Sequence, residues 1–182
     1  MGKTNSIQKT KKILLMGLDN SGKTSIILSL TKNTNLLSFV TLSPTKGLNI
    51  VNIDEYNSNF NIWELGGQEQ YRKEYLQDLE KYIHDPERII FVIDSQDAER
   101  YEIALDYLRD ILEALKQMHK KFEFYIYLHK YDPNLEIQST FIRRVKEKLI
   151  AKLKKVIPSD FNYKIYKTSI YTVFKREIVP ED

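Results

Sequence analysis

The chain contains no cysteine in its 182 residues. That excludes a disulfide framework and any thiolate metal centre, and it fits a reducing, cytoplasmic setting. No run of 18 apolar residues occurs, which leaves no candidate membrane-spanning helix in the sequence. The N-terminus is polar and Lys-rich, without the apolar stretch of a secretory leader. The three histidines have no metal-ligand spacing, and a net charge of +3 is too small to point to a nucleic acid. Internal repeats and low-complexity tracts are also missing. What remains, 42% hydrophobic and 29% charged, is the composition of one ordinary globular domain with a sizeable core.

Glycine is scarce, with six in all, yet two of them stand five apart in GLDNSGKTS, residues 17–25. Gly17 to Thr24 matches G-x-x-x-x-G-K-[ST], the phosphate-binding loop pattern, with the apolar run Ile13–Met16 before it and a helical TSIILSL after it. Glycine allows backbone amides to approach an anion closely, and the following helix start adds its own amides. The loop residues Asp19, Asn20, Ser21, Gly22 and Ser25 are therefore candidates to line a nucleotide. Lys23 is expected to reach the outer phosphates and the Thr24 hydroxyl to ligate Mg²⁺.

Apolar strand candidates recur at 12–16, 47–53, 59–65, 88–94, 123–129 and 163–167, with EYNSN (55–59) reading as a hairpin turn. Ala104, Leu108, Ile111, Leu115 and Met118 recur at helical spacing within a helix from Asp97 to about Met118. Ser139 is placed to cap a second helix with the stripe Ile142, Val145, Leu149, Leu153 and Val156, ended by Pro158. Strands alternating with helices imply an α/β fold: a mostly parallel six-stranded sheet flanked by helices, with its ligand at the carboxyl ends of the strands. Residues 1–11 read as a polar tail and 12–182 as the domain.

Four further stretches fall at strand ends. SPTKG puts the Thr45 hydroxyl where it could complete a Mg²⁺ shell. IWELGGQEQYR (62–72) ends a strand on Glu64. Its Gly67 amide could meet a γ-phosphate, and Gln68 could orient an attacking water. In LHKYD (128–132), the Asp132 carboxylate can accept both donors on the edge of guanine, whereas adenine presents an acceptor there. That contact disfavours an ATP-using enzyme. In YKTSIY (166–171), Thr168 and Ser169 could brace the base loop while the Ile170 amide reads the guanine oxygen.

Taken in order, these stretches resemble the Ras-superfamily small GTPases over nearly the whole chain. GLDNSGKTS, PTKGLN, IWELGGQ and FVIDSQDAERYEIAL are similar to the Arf and Arf-like branch. The 19 positions from Thr45 to Glu64 match its short hairpin between switches. HKYD followed by TSI is similar to the Rag GTPases, with His129 where the N-K-x-D motif has Asn. The resemblance implies a P-loop NTPase G domain and a monomeric GTP-binding switch that hydrolyses GTP to GDP with Mg²⁺, in membrane traffic or regulatory signalling. Thr24, Thr45 and Glu64 would serve the metal. Lys23, Gly67 and Gln68 would act in hydrolysis, and Lys130 would lay its stem on the nucleoside. The expected partners are guanine nucleotide, an exchange factor, an activating protein and effectors. The rival expectation is a Rag-like GTP-binding scaffold subunit with negligible turnover.

Glu64 stands where the family has Asp, one methylene shorter. GKTNSIQKTKK lacks the apolar face of the Arf N-terminal helix, and the last helix, near Tyr171–Ile178, is short. Either the chain is trimmed there or a further domain follows, as in Rag proteins. MGKTNS matches the myristoylation pattern at Gly2, and a single acyl chain gives only weak, peripheral membrane association. The seven Lys and Arg between Ser139 and Ile157 read as a solvated helix face; His84 and His119 read as structural. No Arg lies between Lys32 and Thr45, so the first switch offers no arginine finger of its own.

Overall fold

The computed structural model describes residues 10–31, 37–55, 58–118, 121–132 and 140–170. The sheet comprises β1 (Lys11–Gly17), β2 (Leu48–Glu55), β3 (Ser58–Leu65), β4 (Arg88–Asp94), β5 (Glu123–His129) and β6 (Lys164–Lys167). Their order is β2-β3-β1-β4-β5-β6, and only the β2–β3 pair is antiparallel. The helices are α1 (Lys23–Leu30), α2 (Leu37–Val40), α3 (Glu69–Gln77), α4 (Leu79–Tyr82), α5 (Tyr101–Gln117) and α6 (Thr140–Val156). The six expected strands are therefore present, with ends shifted by one or two residues. Residues 1–9 of the expected tail, the hairpin tip at 56–57, the Ser139 cap, His119 and the helix from Tyr171 lie outside the described residues, while Lys11, the last residue of that tail, instead opens β1 opposite Phe60.

β4 is apolar on both faces because helices cover both sides of a parallel interior strand. Ile89, Phe91 and Ile93 pack with Leu105, Leu108 and Leu112 of α5, while Ile90 and Val92 pack with Ile27 of α1. Period two thus divides one strand between two cores. On α6, Leu149 and Leu153 are fully buried beside Ile157, as the helical stripe requires. Each fully buried Leu or Ile of this kind contributes about 1.5–3 kcal/mol. The expected helix at Asp97 begins differently: Ala98–Arg100 form a tight 3₁₀ turn, and the α-helix starts at Tyr101.

Because β1, β3, β4, β5 and β6 all run the same way, their carboxyl ends share one edge. Glu64, Gly17, Asp94, His129 and Thr168 therefore fall along that edge in the order of their strands, β3, β1, β4, β5 and β6.

Candidate functional site

The loop after β1 turns through two left-handed residues, Asn20 (φ 58) and Gly22 (φ 95), before Lys23 opens α1. Lys23 is 4% exposed, and its Nζ donates to the carbonyls of Gly17 (3.0 Å) and Leu18 (2.7 Å). Burial pulls its pKa down to about 8, against the carboxylates of Glu64 and Asp19, which favour the charged form. A buried ammonium needs acceptors, and the loop carbonyls supply them.

Thr24, Thr45 and Glu64 converge from three segments. Thr24 Oγ1 donates to Glu64 Oε1 (2.5 Å), Thr45 Oγ1 donates to the same oxygen (3.1 Å), and the two hydroxyls are 3.2 Å apart. Asn49 Nδ2 holds the other carboxylate oxygen at 3.2 Å. Among the described residues no three His, Asp or Glu side chains cluster, so this is one carboxylate with two hydroxyls. Three hard oxygens suit Mg²⁺, which commonly takes few protein ligands and keeps waters. The extra methylene of Glu64 lets its carboxylate touch Thr24 directly.

The glycine pair closes over this cluster. Gly66 donates to Gly47 O at 2.8 Å and approaches the Tyr75 hydroxyl at 3.2 Å; burial pushes that phenol up to about 12. Gly67 lies against the phosphate loop: a Cβ there would come within 2.0 Å of Asp19 N and 2.1 Å of Leu18 C. Only glycine allows that approach. Arg72 Nε holds Gly67 O at 3.0 Å, with its guanidinium over the Tyr107 ring. Gln68 is the residue before α3 and makes no side-chain cap bond there, so its amide is not committed to the helix. Asp19, Lys23, Thr24, Thr45, Glu64 and Gly67 line a cavity of about 230 Å³, together with Asn20, Gly22 and Ser25.

A second cavity, about 350 Å³, shares Gly22 and Ser25 and is lined by Phe39, His129, Lys130, Asp132 and Ile170. Asp132 is fixed through both oxygens, by Ser169 Oγ and by Gln96 Nε2 (2.9 Å). Lys130 is left-handed (φ 55); its Nζ bridges Asn20 O (2.8 Å) and Asp94 (2.7 Å). His129 Nδ1 meets Thr168 Oγ1 at 2.9 Å, and its ring lies so close to Gly22 that a Cβ there would fall 2.3 Å from it. Burial, then the Lys130 charge, hold His129 below its ordinary pKa, with Asp94 and Asp132 opposing. Backbone bonds from Thr168 to Leu128 and from Tyr131 to Thr168 join the last two loops.

Residues 12–175 match the model for the Gtr1/RagA G protein conserved region. The chain belongs to the Gtr1/RagA G-protein family. As a Gtr1/RagA-family G protein it is a small GTPase with a GTP-binding G domain. The matched span takes in the Arf-resembling front as well as HKYD and TSI. Solved structures agree on the fold. A Trypanosoma brucei Arl6 (BBS3) small GTPase with bound GppNp superposes with a TM-score of 0.65, at 21% identity over 88% of this chain and 87% of that one. The mammalian SRP receptor gives 0.63 at 14% identity, over 87% and 91%. A bacterial selenocysteine-specific elongation factor, EF-Sec, gives 0.59 at 20% identity; 89% of this chain covers 26% of that longer one.

For this family member the structure gathers most of the sequence candidates into two adjoining cavities; Gln68 and Ser169 line neither, Ser169 bracing Asp132 instead, and Ser21 is turned elsewhere. The Ser21 hydroxyl faces away into a water-sized void with Leu18, Asp94 and Arg100, so Ser21 can serve the cavity only through its backbone. Four residues absent from the sequence reading join the site: Asn49, Phe39, Gln96 and Arg100. The last two lie in DSQDAER, whose likeness to Arf proteins was the one available signal.

Proposed function

We propose that this G protein is a switch that hydrolyses GTP to GDP and phosphate. The observation that carries the reading is the closure of Gly67 onto the Leu18–Asp19 peptide, beside the oxygens of Thr24, Thr45 and Glu64. That closure would bring the Gly67 amide, the Lys23 ammonium and Gln68 around the outermost phosphate. Mg²⁺, when bound through Thr24 and Thr45 with Glu64 behind them, would neutralise charge on the phosphate oxygens. Gln68 would hold a water in line. The water oxygen would attack the γ-phosphorus as the bond to the bridging oxygen breaks, the electron pair leaving on GDP and the water's proton ending on a phosphate oxygen. Asp132 would accept the two guanine donors, with Lys130 and Phe39 flanking the nucleoside. Release of phosphate would free 36–48 and 66–76 to rearrange, which is the switching output offered to an effector.

On this reading the switch domain takes in Lys11, the first residue of β1, and what precedes it is an appended tail. The protein works in the cytoplasm, at most weakly at a membrane surface, with an exchange factor and an activating protein. Its resemblance to Arf proteins supports a role in traffic or signalling. A second reading, a GTP-binding scaffold with negligible turnover, is favoured by His129, which stands where the N-K-x-D motif has Asn, as in the Rag GTPases that HKYD resembles. Single-turnover assays with GTP and ATP, with and without Mg²⁺, separate them. Mg²⁺-dependent loss of GTP alone supports the switch, GTP retained unhydrolysed supports the scaffold, and equal use of ATP refutes the assignment of Asp132.

A further inference from the structure

The phosphate loop carries a feature that a triphosphate site should disfavour. Asp19 lines the same cavity as Lys23, Thr45 and Gly67, and its side chain is 39% exposed. A bare carboxylate there repels a γ-phosphate. Arg100, the residue before α5 and 81 positions away, answers it: Nη1 donates to Asp19 Oδ1 (3.1 Å) and Nη2 to the Asp19 carbonyl (2.6 Å). Its Nε is in turn anchored on Asp97 Oδ2 at 2.6 Å. The guanidinium is 30% exposed, so part of its charge is sheltered from solvent. The same Asp19 peptide is the one Gly67 presses against. All three nitrogens of Arg100 thus fix the outer wall of the phosphate cavity, one on its charge, one on its backbone, one on an anchor.

We propose that Arg100 is a positioning residue that sets the preference for tri- over diphosphate, by neutralising Asp19 and holding it beside the seat of the γ-phosphate. GDP places no charge at that seat, so it is little affected. The inference rests on the reading of this cavity as the GTP site, and its test separates the two.

The experiment compares affinities for GDP and for a non-hydrolysable GTP analogue, by competition with fluorescent GDP, in wild type, Arg100→Ala, Asp19→Asn and the double variant. Arg100→Ala should shift the ratio roughly tenfold toward GDP, the scale of one uncompensated like charge at a partly exposed site. The shift should shrink in high salt. The double variant should recover the wild-type ratio, because the uncompensated carboxylate is gone, whereas a loss due to misfolding would not recover. Asp19→Asn alone should move the ratio toward triphosphate, and this arm needs no Arg100 variant to fold. An unchanged ratio in Arg100→Ala, or a loss equal for both nucleotides and not rescued by Asp19→Asn, overturns the proposal. Wild type binding neither nucleotide overturns the reading of the cavity, and the proposal with it.

Discussion

Gly67→Ala tests the closure most directly. The added Cβ would lie 2.0 Å from Asp19 N, 2.1 Å from Leu18 C and 2.5 Å from Leu18 O, against an ordinary contact of 3.4 Å or more. The shortfall is at least 1.4 Å, and every atom it meets is backbone. No rotamer change relieves it, so residues 66–68 or the phosphate loop must separate by that amount. The loop before α3 is the softer of the two, since the phosphate loop is tied by Lys23, Lys130 and Arg100. A displacement of about 1 Å in a group that must align a reactant costs roughly 10²-fold in rate. GTP hydrolysis measured in a single turnover should therefore fall about a hundredfold. GDP affinity should hold within about threefold, because GDP does not reach Gly67. Gly47→Ala is the control: its φ is +61 but nothing lies within 4 Å, so it carries only the backbone strain of about 1–2 kcal/mol. It should lower the melting temperature more than the rate. A Gly67→Ala protein that hydrolyses GTP as fast as wild type would refute the role given to this contact.

Asp132→Asn turns an acceptor into a donor toward the guanine amine and should move preference to xanthosine triphosphate; competition binding showing no change would reassign the loop. Intrinsic turnover should be slow, on the order of 10⁻⁴ to 10⁻² s⁻¹. Gln68→Leu should slow it further with GTP affinity kept, and unaided turnover near one per second would sink this view. Trp63, the only tryptophan, packs under the Lys12 ammonium at 3.5 Å and donates to Asn61, one residue before Glu64. Its emission should differ between GDP and a GTP analogue, and Thr45→Ala should weaken the difference; identical spectra with binding verified favour the scaffold. Lys23 titrates near 8 when folded but at 10.5 when unfolded, so between these values the unfolded chain binds more protons and stability rises with pH. Denaturant unfolding of nucleotide-free protein from pH 7.5 to 9.5 should show a gain of about 2 kcal/mol at most, absent in Lys23→Met.

Strands and helices were legible where burial imposed a period: Ile89 to Ile93 could only be an interior strand, and the α5 stripe only a helix. The site was legible where one residue type is tied to one chemistry, as with Lys23 behind glycine or Asp132 after Lys130. It was not legible where a residue acts through distance. Arg100 reads as a helix-start charge, and nothing local says that β1 and β4 are neighbours, which is what brings it to Asp19. Gln96 likewise reads as a polar turn until β4 and β5 are paired. The Glu64–Thr24 bond depends on one methylene of reach, which becomes decisive only once both backbones are placed.

The contacts that close the site join residues far apart along the chain: 39 positions for His129 to Thr168, 81 for Arg100 to Asp19 and 110 for Lys130 to Asn20. Such separations make assembly slow and late, because loop closure comes before any reward from contact. During synthesis at about 5–20 residues per second, the phosphate loop is made roughly 7–30 s before Thr168 and Ser169 exist to brace the base loop. For roughly the first 5–21 s of it, before His129 and Lys130 are made, Gly22 has no imidazole beside it and Asn20 no ammonium on its carbonyl. Guanine nucleotide can therefore act as a folding ligand only after residues 168–170 have been made. Nascent chains stalled before residue 168 should not retain it, whereas chains extended past residue 170 should.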